Sequence, residues 1–162
     1  MKSPQLSIVV TTRNDNHGKN LLYRMQQFLD GVIQQSNRHK LFSELIFVEW
    51  NPPKDNPPLV EALSFPKEAS FCSIRIIQVS NSIHERFEHA HSLPLFQMIG
   101  KNVGIRRARG KFILATNIDV LFSDSLIKFI KSKIKSGFVY RVDRLDIPEQ
   151  LPAVSSFPEI LN

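Results

Sequence analysis

Leu6-Ser7-Ile8-Val9-Val10-Thr11-Thr12, followed at once by Arg13-Asn14-Asp15-Asn16-His17-Gly18, is the stretch that decides the fold. The first seven residues are mostly β-branched and apolar, the mark of a strand buried in a parallel sheet. The six that follow are polar and end on a turn glycine. Beyond them Leu21, Leu22, Met25, Phe28, Leu29, Val32 and Ile33 recur at helical spacing and form one broad apolar stripe. Strand, polar loop and amphipathic helix make the first unit of an alternating pattern.

The pattern continues along the chain. Residues 45–49, Leu-Ile-Phe-Val-Glu, read as a second strand. They run into Trp50-Asn51-Pro52-Pro53 and Pro57-Pro58, prolines that no strand or helix interior tolerates, so a loop is expected. Pro57-Pro58 can open a short helix carrying Leu59, Val60 and Leu63. A third strand is predicted over 73–79 and a loop or short helix over 84–93. A second good helix spans 95–109, with Leu95, Met98, Ile99, Asn102 and Val103 along one face. Residues 111–115 form a fourth strand that ends at Thr116-Asn117-Ile118-Asp119. Ser123 then caps a helix to about residue 136, with Asp124 in its first turn and Gly137 as its stop. A fifth strand is predicted over 138–142.

This alternation predicts an α/β fold, a three-layer Rossmann-like sandwich with a mostly parallel sheet and helices on both faces. One domain is expected over 1–147. Residues 148–162, punctuated by proline and without period, are expected to form an irregular tail or lid. The 162 residues suit one domain on a prior of roughly 150 each.

Composition narrows the function classes. With 42% hydrophobic and 22% charged residues, the composition is a globular mix that argues against overall disorder. The single cysteine, Cys72, excludes an internal disulfide and a Cys-based zinc framework, and reads as a small hydrophobe half-buried beside a strand. No apolar run is long enough to span a membrane and the start lacks a secretory h-region, so a cytoplasmic, reducing setting is expected. A formal net charge of +6 favours an anionic partner. The densest basic run, Arg106-Arg107-Ala108-Arg109-Gly110-Lys111, has no interleaved aromatics and reads as a solvated helix end, so no nucleic-acid partner is expected. Lys128, Lys131 and Lys135 share a helix face that is either solvated or a peripheral contact to anionic lipid. His84 and His89 are five residues apart, about 140° around a helix, which fails the spacing of a zinc-protease helix. Trp50 and Phe87 read as packing residues, with stacking on a base or sugar as the alternative.

In open α/β sheets ligands sit beyond the carboxyl ends of the strands, where strand order reverses. The residues collected there are Thr11, Thr12, Arg13, Asn14 and Asp15 after strand one, Glu49 ending strand two, Ser80, Asn81 and Ser82 after strand three, and Asn117 and Asp119 after strand four. Oxygen ligands at a sheet rim suit Mg²⁺ or Mn²⁺, which usually share them with substrate phosphates.

Three segments in order then resemble a known family. Ser7-Ile8-Val9-Val10-Thr11-Thr12-Arg13-Asn14 is similar to the opening strand and loop of family-2-type glycosyltransferases with the GT-A fold. Lys101-Asn102-Val103-Gly104-Ile105-Arg106-Arg107-Ala108-Arg109-Gly110-Lys111-Phe112-Ile113-Leu114 resembles their helix-into-strand segment. Thr116-Asn117-Ile118-Asp119 falls where they keep an Asp-x-Asp motif. The resemblance covers roughly residues 6–140 and implies the nucleotide-binding half of such an enzyme, with a short or truncated C-terminal part.

The resemblance also implies roles. Asp119 would bind a divalent metal, Mn²⁺ or Mg²⁺, on the donor diphosphate. Asn117 replaces the first carboxylate of the motif and would bond a ribose hydroxyl or metal-bound water. Glu49 would accept a hydrogen bond from the nucleobase, Lys101 would lie near the phosphates, and Asn102 would belong to the nucleotide-sugar site. Thr11, Thr12, Arg13 and Asn14 would line the base and ribose. The implied donor is a nucleotide sugar, most often a UDP-sugar, and the acceptor a sugar, lipid-linked or polysaccharide hydroxyl. That hydroxyl needs a carboxylate base. Asp143 and Asp146 are the late candidates, neither in a recognised motif. The alternative function is a non-catalytic nucleotide-sugar-binding module or subunit. Plainer readings stand beside these roles: Asp119 as a loop acid or helix cap, Glu49 as a solvent-facing acid or partner of Lys54, Asn102 bonded to a neighbouring backbone group, and Gly104 permitting close helix-sheet packing.

Overall fold

The computed structural model describes residues 3–15, 17–66 and 69–146. Four strands form one all-parallel sheet: β1 (Leu6–Thr12), β2 (Ser43–Trp50), β3 (Cys72–Val79) and β4 (Phe112–Ala115), in the order β3-β2-β1-β4. The two central strands are buried along their whole length, as strands covered on both faces must be. The outer strands β3 and β4 are only partly covered.

Alternation along the strands feeds two cores. Ile8, Val10, Leu45 and Phe47 face α1 (Leu21–His39), where they meet Met25, Phe28, Leu29 and Val32. This core also takes Leu59 of α2 (Leu59–Ala62) and Ile127 and Ile130 of α5 (Asp124–Ser132). Val9, Ile46, Val48 and Trp50 face the opposite way and pack with Ile99 and Val103 of α4 (Gln97–Ile105). Helices therefore cover both faces. The short α3 (Asn81–His84) follows β3 directly.

Helix α4 lies unusually close to the sheet because two glycines face it. A Cβ on Gly100 would sit 2.3 Å from Thr11 Cγ2, and one on Gly104 would sit 2.4 Å from Val9 Cγ1. The packing face of α4 is thus Ile99-Gly100 and Val103-Gly104. This corrects the apolar face expected from spacing, because Met98 and Asn102 are exposed. Gly104 serves close packing, and Trp50 is a packing residue buried among His84, Phe87 and Phe96.

Other boundaries differ from expectation. Cys72 opens β3 and is fully buried rather than half-buried. Helix α5 is capped by the Ser123 hydroxyl, which accepts from Leu126 N, but it ends at Ser132. Residues 138–142 form no strand: the Tyr140 hydroxyl accepts from Lys135 N at 3.0 Å and its ring packs edge-on to Phe129, which holds the segment at α5. Their β-branched and aromatic composition satisfies the pattern of a strand but supplies no ladder partner. The predicted tail at 148–162 lies outside the described residues. No helix among the described residues is long and apolar enough to cross a membrane.

Candidate functional site

Strand order reverses between β1 and β4: from β1 the chain moves one way to β2 and β3, then returns across β1 to β4. The crevice beyond their carboxyl ends is the expected ligand position of an open α/β sheet. Thr116 N donates to Val9 O, so the Thr116-to-Asp119 turn leaves β4 beside the exit of β1. Ile118 drops into the α1-side core and fixes the turn, with Asn117 and Asp119 on either side of it.

The residues at the exit of β1 organise the neighbouring loops. Arg13 Nη1 donates to Pro94 O at 3.0 Å, and its Nε lies 3.3 Å from Asp15 Oδ2. Asn14 Nδ2 donates to Pro57 O at 2.9 Å, while Asn14 O accepts from Asn56 Nδ2. Thr12 lies buried against Met25. Thr11 is buried against Gly100, and among the described residues its hydroxyl has no hydrogen-bond partner. Arg13 and Asn14 thus join the loops after β1, β2 and α3 into one rim.

Glu49 is only 1% exposed. Its Oε1 accepts from Leu59 N at 2.9 Å and its Oε2 from Gln78 Nε2 at 3.2 Å, so both oxygens are engaged inside the protein. Burial raises its carboxyl above the ordinary 4.5, against those two bonds.

Two cations flank the tripeptide turn. Lys101 Nζ donates to Asn117 Oδ1 at 2.9 Å, and Gln97 Nε2 reaches the same oxygen at 3.2 Å. Lys101 is half-buried, and desolvation lowers its ammonium pKa. Among the described residues no carboxylate pairs with it. On the other side Arg24 Nη1 donates to Asp119 Oδ2 at 2.6 Å, in a pair whose side chains are 26% and 36% exposed. Arg24 Nε and Nη2 hold Gly18 O, Lys19 O and His17 O. Those carbonyls belong to a left-handed turn, with φ of 74°, 58° and 47° at Gly18, Lys19 and Asn20.

Sequence reasoning missed Arg24 and Gln97. Arg24 left a faint signal, because it is a cation in the second turn of a helix whose first turn carries no acid, and so sits near the positive end of the dipole. Such a residue needs a carboxylate from elsewhere, and Asp119 supplies it. Asn102 faces solvent. Asp143 and Asp146 are exposed and lie 3.7 and 3.8 Å from the arginines two residues before them.

The donor set does not fit the expected Mn²⁺ or Mg²⁺ as it stands. Such ions need several oxygens, including one or two carboxylates. Asp119 Oδ2 holds Arg24 and the single oxygen of the Asn117 side chain holds Lys101 and Gln97, which leaves Oδ1 of Asp119 as the one carboxylate oxygen of the turn without a side-chain partner among the described residues. Among the described residues no group of three or more His, Cys, Asp or Glu side chains comes together around a metal position.

Two cavities adjoin the rim. One, of about 450 Å³, lies beyond β2 and β3 and is lined by Asn51, Asn81, Glu85, Phe87, His91 and Pro94. His84 also borders it, with Nδ1 accepting from Trp50 Nε1 and Nε2 donating to Ala90 O, so the ring is a neutral structural imidazole. The other, about 1410 Å³, is a largely apolar groove along β4 that includes Arg24 and Asp119 together with Tyr23, Leu121 and Phe129. No protein-family model matches the chain, and no curated protein does. The glycosyltransferase resemblance therefore stands on the three segments quoted above.

Proposed function

We propose that this chain is the donor-binding half of a glycosyltransferase and takes a nucleotide sugar, a UDP-sugar first, at the rim between β1 and β4. The observation that carries this reading is Lys101. It is a half-buried ammonium with no acid partner among the described residues, held by an amide at the reversal of strand order. A partly desolvated cation in that position is complementary to a phosphate. The base would lie toward the cavity beyond β2 and β3. Neighbouring strands are about 4.8 Å apart, so β2 and β4 are separated by roughly 10 Å, a span that a nucleoside diphosphate bridges. A lipid-linked acceptor fits the apolar groove that includes Asp119.

The reaction would be displacement at the anomeric carbon by an acceptor hydroxyl, with a carboxylate taking its proton. A second reading, a binding module without catalysis, is favoured by one observation: Asp143 and Asp146 are exposed beside Arg141 and Arg144 and neither is poised as a base.

A thermal-shift panel of nucleoside diphosphates and nucleotide sugars tests the binding claim. At least one nucleotide sugar should raise Tm, because a ligand that binds only the folded state must do so. No shift with any of them overturns the proposal. Release of the nucleoside diphosphate from a shifting donor separates the enzyme from the binding module.

A further inference from the structure

We propose that the diphosphate at this rim is held by the chain's own cations, Lys101 first and Arg24 second, in place of a divalent metal ion. The proposal rests on reading the rim as a nucleoside diphosphate site.

Four observations lead to it. Each of the two polar side chains of the Asn117-Ile118-Asp119 turn already carries a side-chain cation, at 2.9 and 2.6 Å. Two residues of chain span at most about 7 Å, so those cations flank a short stretch of backbone. Both retain donors. An ammonium has three, and among the described residues only Asn117 takes one from Lys101; Arg24 Nη1 carries two N–H groups and Asp119 takes one.

The identity of residue 117 also matters. An aspartate there would pair with Lys101 and cancel its charge. The amide positions the ammonium and leaves the charge available. Lys101, Arg24 and Asp119 together then carry one net positive charge, which offsets part of the leaving group's negative charge as a metal ion otherwise does.

Finally, Arg24 is costly to displace. Its guanidinium bonds the carbonyls of His17, Gly18 and Lys19, and two of the left-handed residues in this turn are not glycine. A metal ion claiming Asp119 would either displace that arginine and disturb the turn, or take the other carboxylate oxygen and face the guanidinium charge across the same carboxylate.

Calorimetry of UDP binding to the full chain, in EDTA and in Mn²⁺, tests the inference. UDP is expected to bind with the same affinity in both. In EDTA, Lys101→Met should weaken binding about tenfold, the scale of one charge-assisted contact, while Lys101→Arg retains it. Asn117→Asp should also weaken binding in EDTA, because the new carboxylate neutralises Lys101. Thermal melts of each variant establish that it is folded. Binding only in Mn²⁺, or tighter Mn²⁺-dependent binding in Asn117→Asp, overturns the inference and leaves the donor-site reading standing. If neither UDP, a UDP-sugar nor pyrophosphate binds in either buffer, both fall together.

Discussion

Strand β2 carries a buried carboxylate near each end, and the two are held in opposite ways. Glu44, at the amino end, faces α4. Its Oε1 accepts from the Ser7 hydroxyl at 2.6 Å and from Arg109 N at 2.5 Å, and its Oε2 from Arg75 Nη1 at 3.0 Å. Gly110 N donates to the same Ser7 hydroxyl, and Arg75 also holds Arg107 O, so the network ties the α4–β4 connection to the sheet. Burial pushes the Glu44 carboxyl up, but the bonds from Ser7, Arg109 and Arg75 together with the Arg75 charge outweigh it, and its pKa lies below 4.5. Glu49, at the carboxyl end, has two neutral donors and no cation paired with it among the described residues, and burial prevails. At the amino end the buried carboxylate is matched by an opposite charge. At the carboxyl end, although Arg24 pairs with Asp119 and Arg13 with Asp15, Glu49 rests on amide donors and Lys101 on an amide acceptor.

Glu44→Ala should break this contrast most severely. It strands Ser7, Arg109 N and Arg75 around a cavity, and removing one partner of a buried charged network costs about 3–5 kcal/mol. Denaturant unfolding of the variant checks this. A loss under 1 kcal/mol would mean that water replaces the carboxylate freely and that the amino end is not sealed.

The two carboxylates should also give pH slopes of opposite sign. The folded-state pKa of Glu44 is depressed, so its contribution is present above the ordinary 4.5 and is lost as pH falls through the lower folded value. The folded-state pKa of Glu49 is raised, so its contribution is complete below 4.5 and is lost as pH rises through the higher folded value. Stability profiles from pH 3 to 7 should therefore differ: Glu44→Gln flattens the acid limb, and Glu49→Gln flattens the decline above it. Slopes of the same sign in the two variants would contradict this.

The same contrast explains what the sequence revealed. Leu6 to Thr12, the α1 stripe and the Phe-Ile-Leu-Ala strand were legible because burial on both faces demands continuous apolar runs and helices demand their own period. Glu44 was not, since an acid at a strand start reads as solvated until Ser7 and Arg109 arrive from distant parts of the chain. Spacing puts Asn102 on the apolar face because it cannot reveal that Gly100 and Gly104 turn their side of α4 toward β1. Residues 138–142 read as a strand because composition describes a residue's fitness for pleated backbone, whereas a ladder needs a neighbouring edge. At the rim, Asn117 and Asp119 were legible as polar residues ending a buried strand. Their partners Lys101 and Arg24 come from two other helices, and only the fold makes those pairings.

Glu49→Gln at neutral pH should produce the smallest effect and gives the finest test. A glutamine keeps an oxygen for Leu59 N, and its amide can donate to Gln78 once that exposed side chain turns its own carbonyl inward. Both bonds survive, and the desolvation of a charge with no paired cation disappears. Stability should therefore change by less than about 1 kcal/mol, toward the stable side, the net worth of a typical hydrogen bond setting the scale. Thermal melts at pH 7 measure it. A loss of about 2 kcal/mol or more, the penalty of an unsatisfied buried group, would mean that the ionised carboxylate is itself required at that end of β2, and the two ends would then be alike in needing their charge.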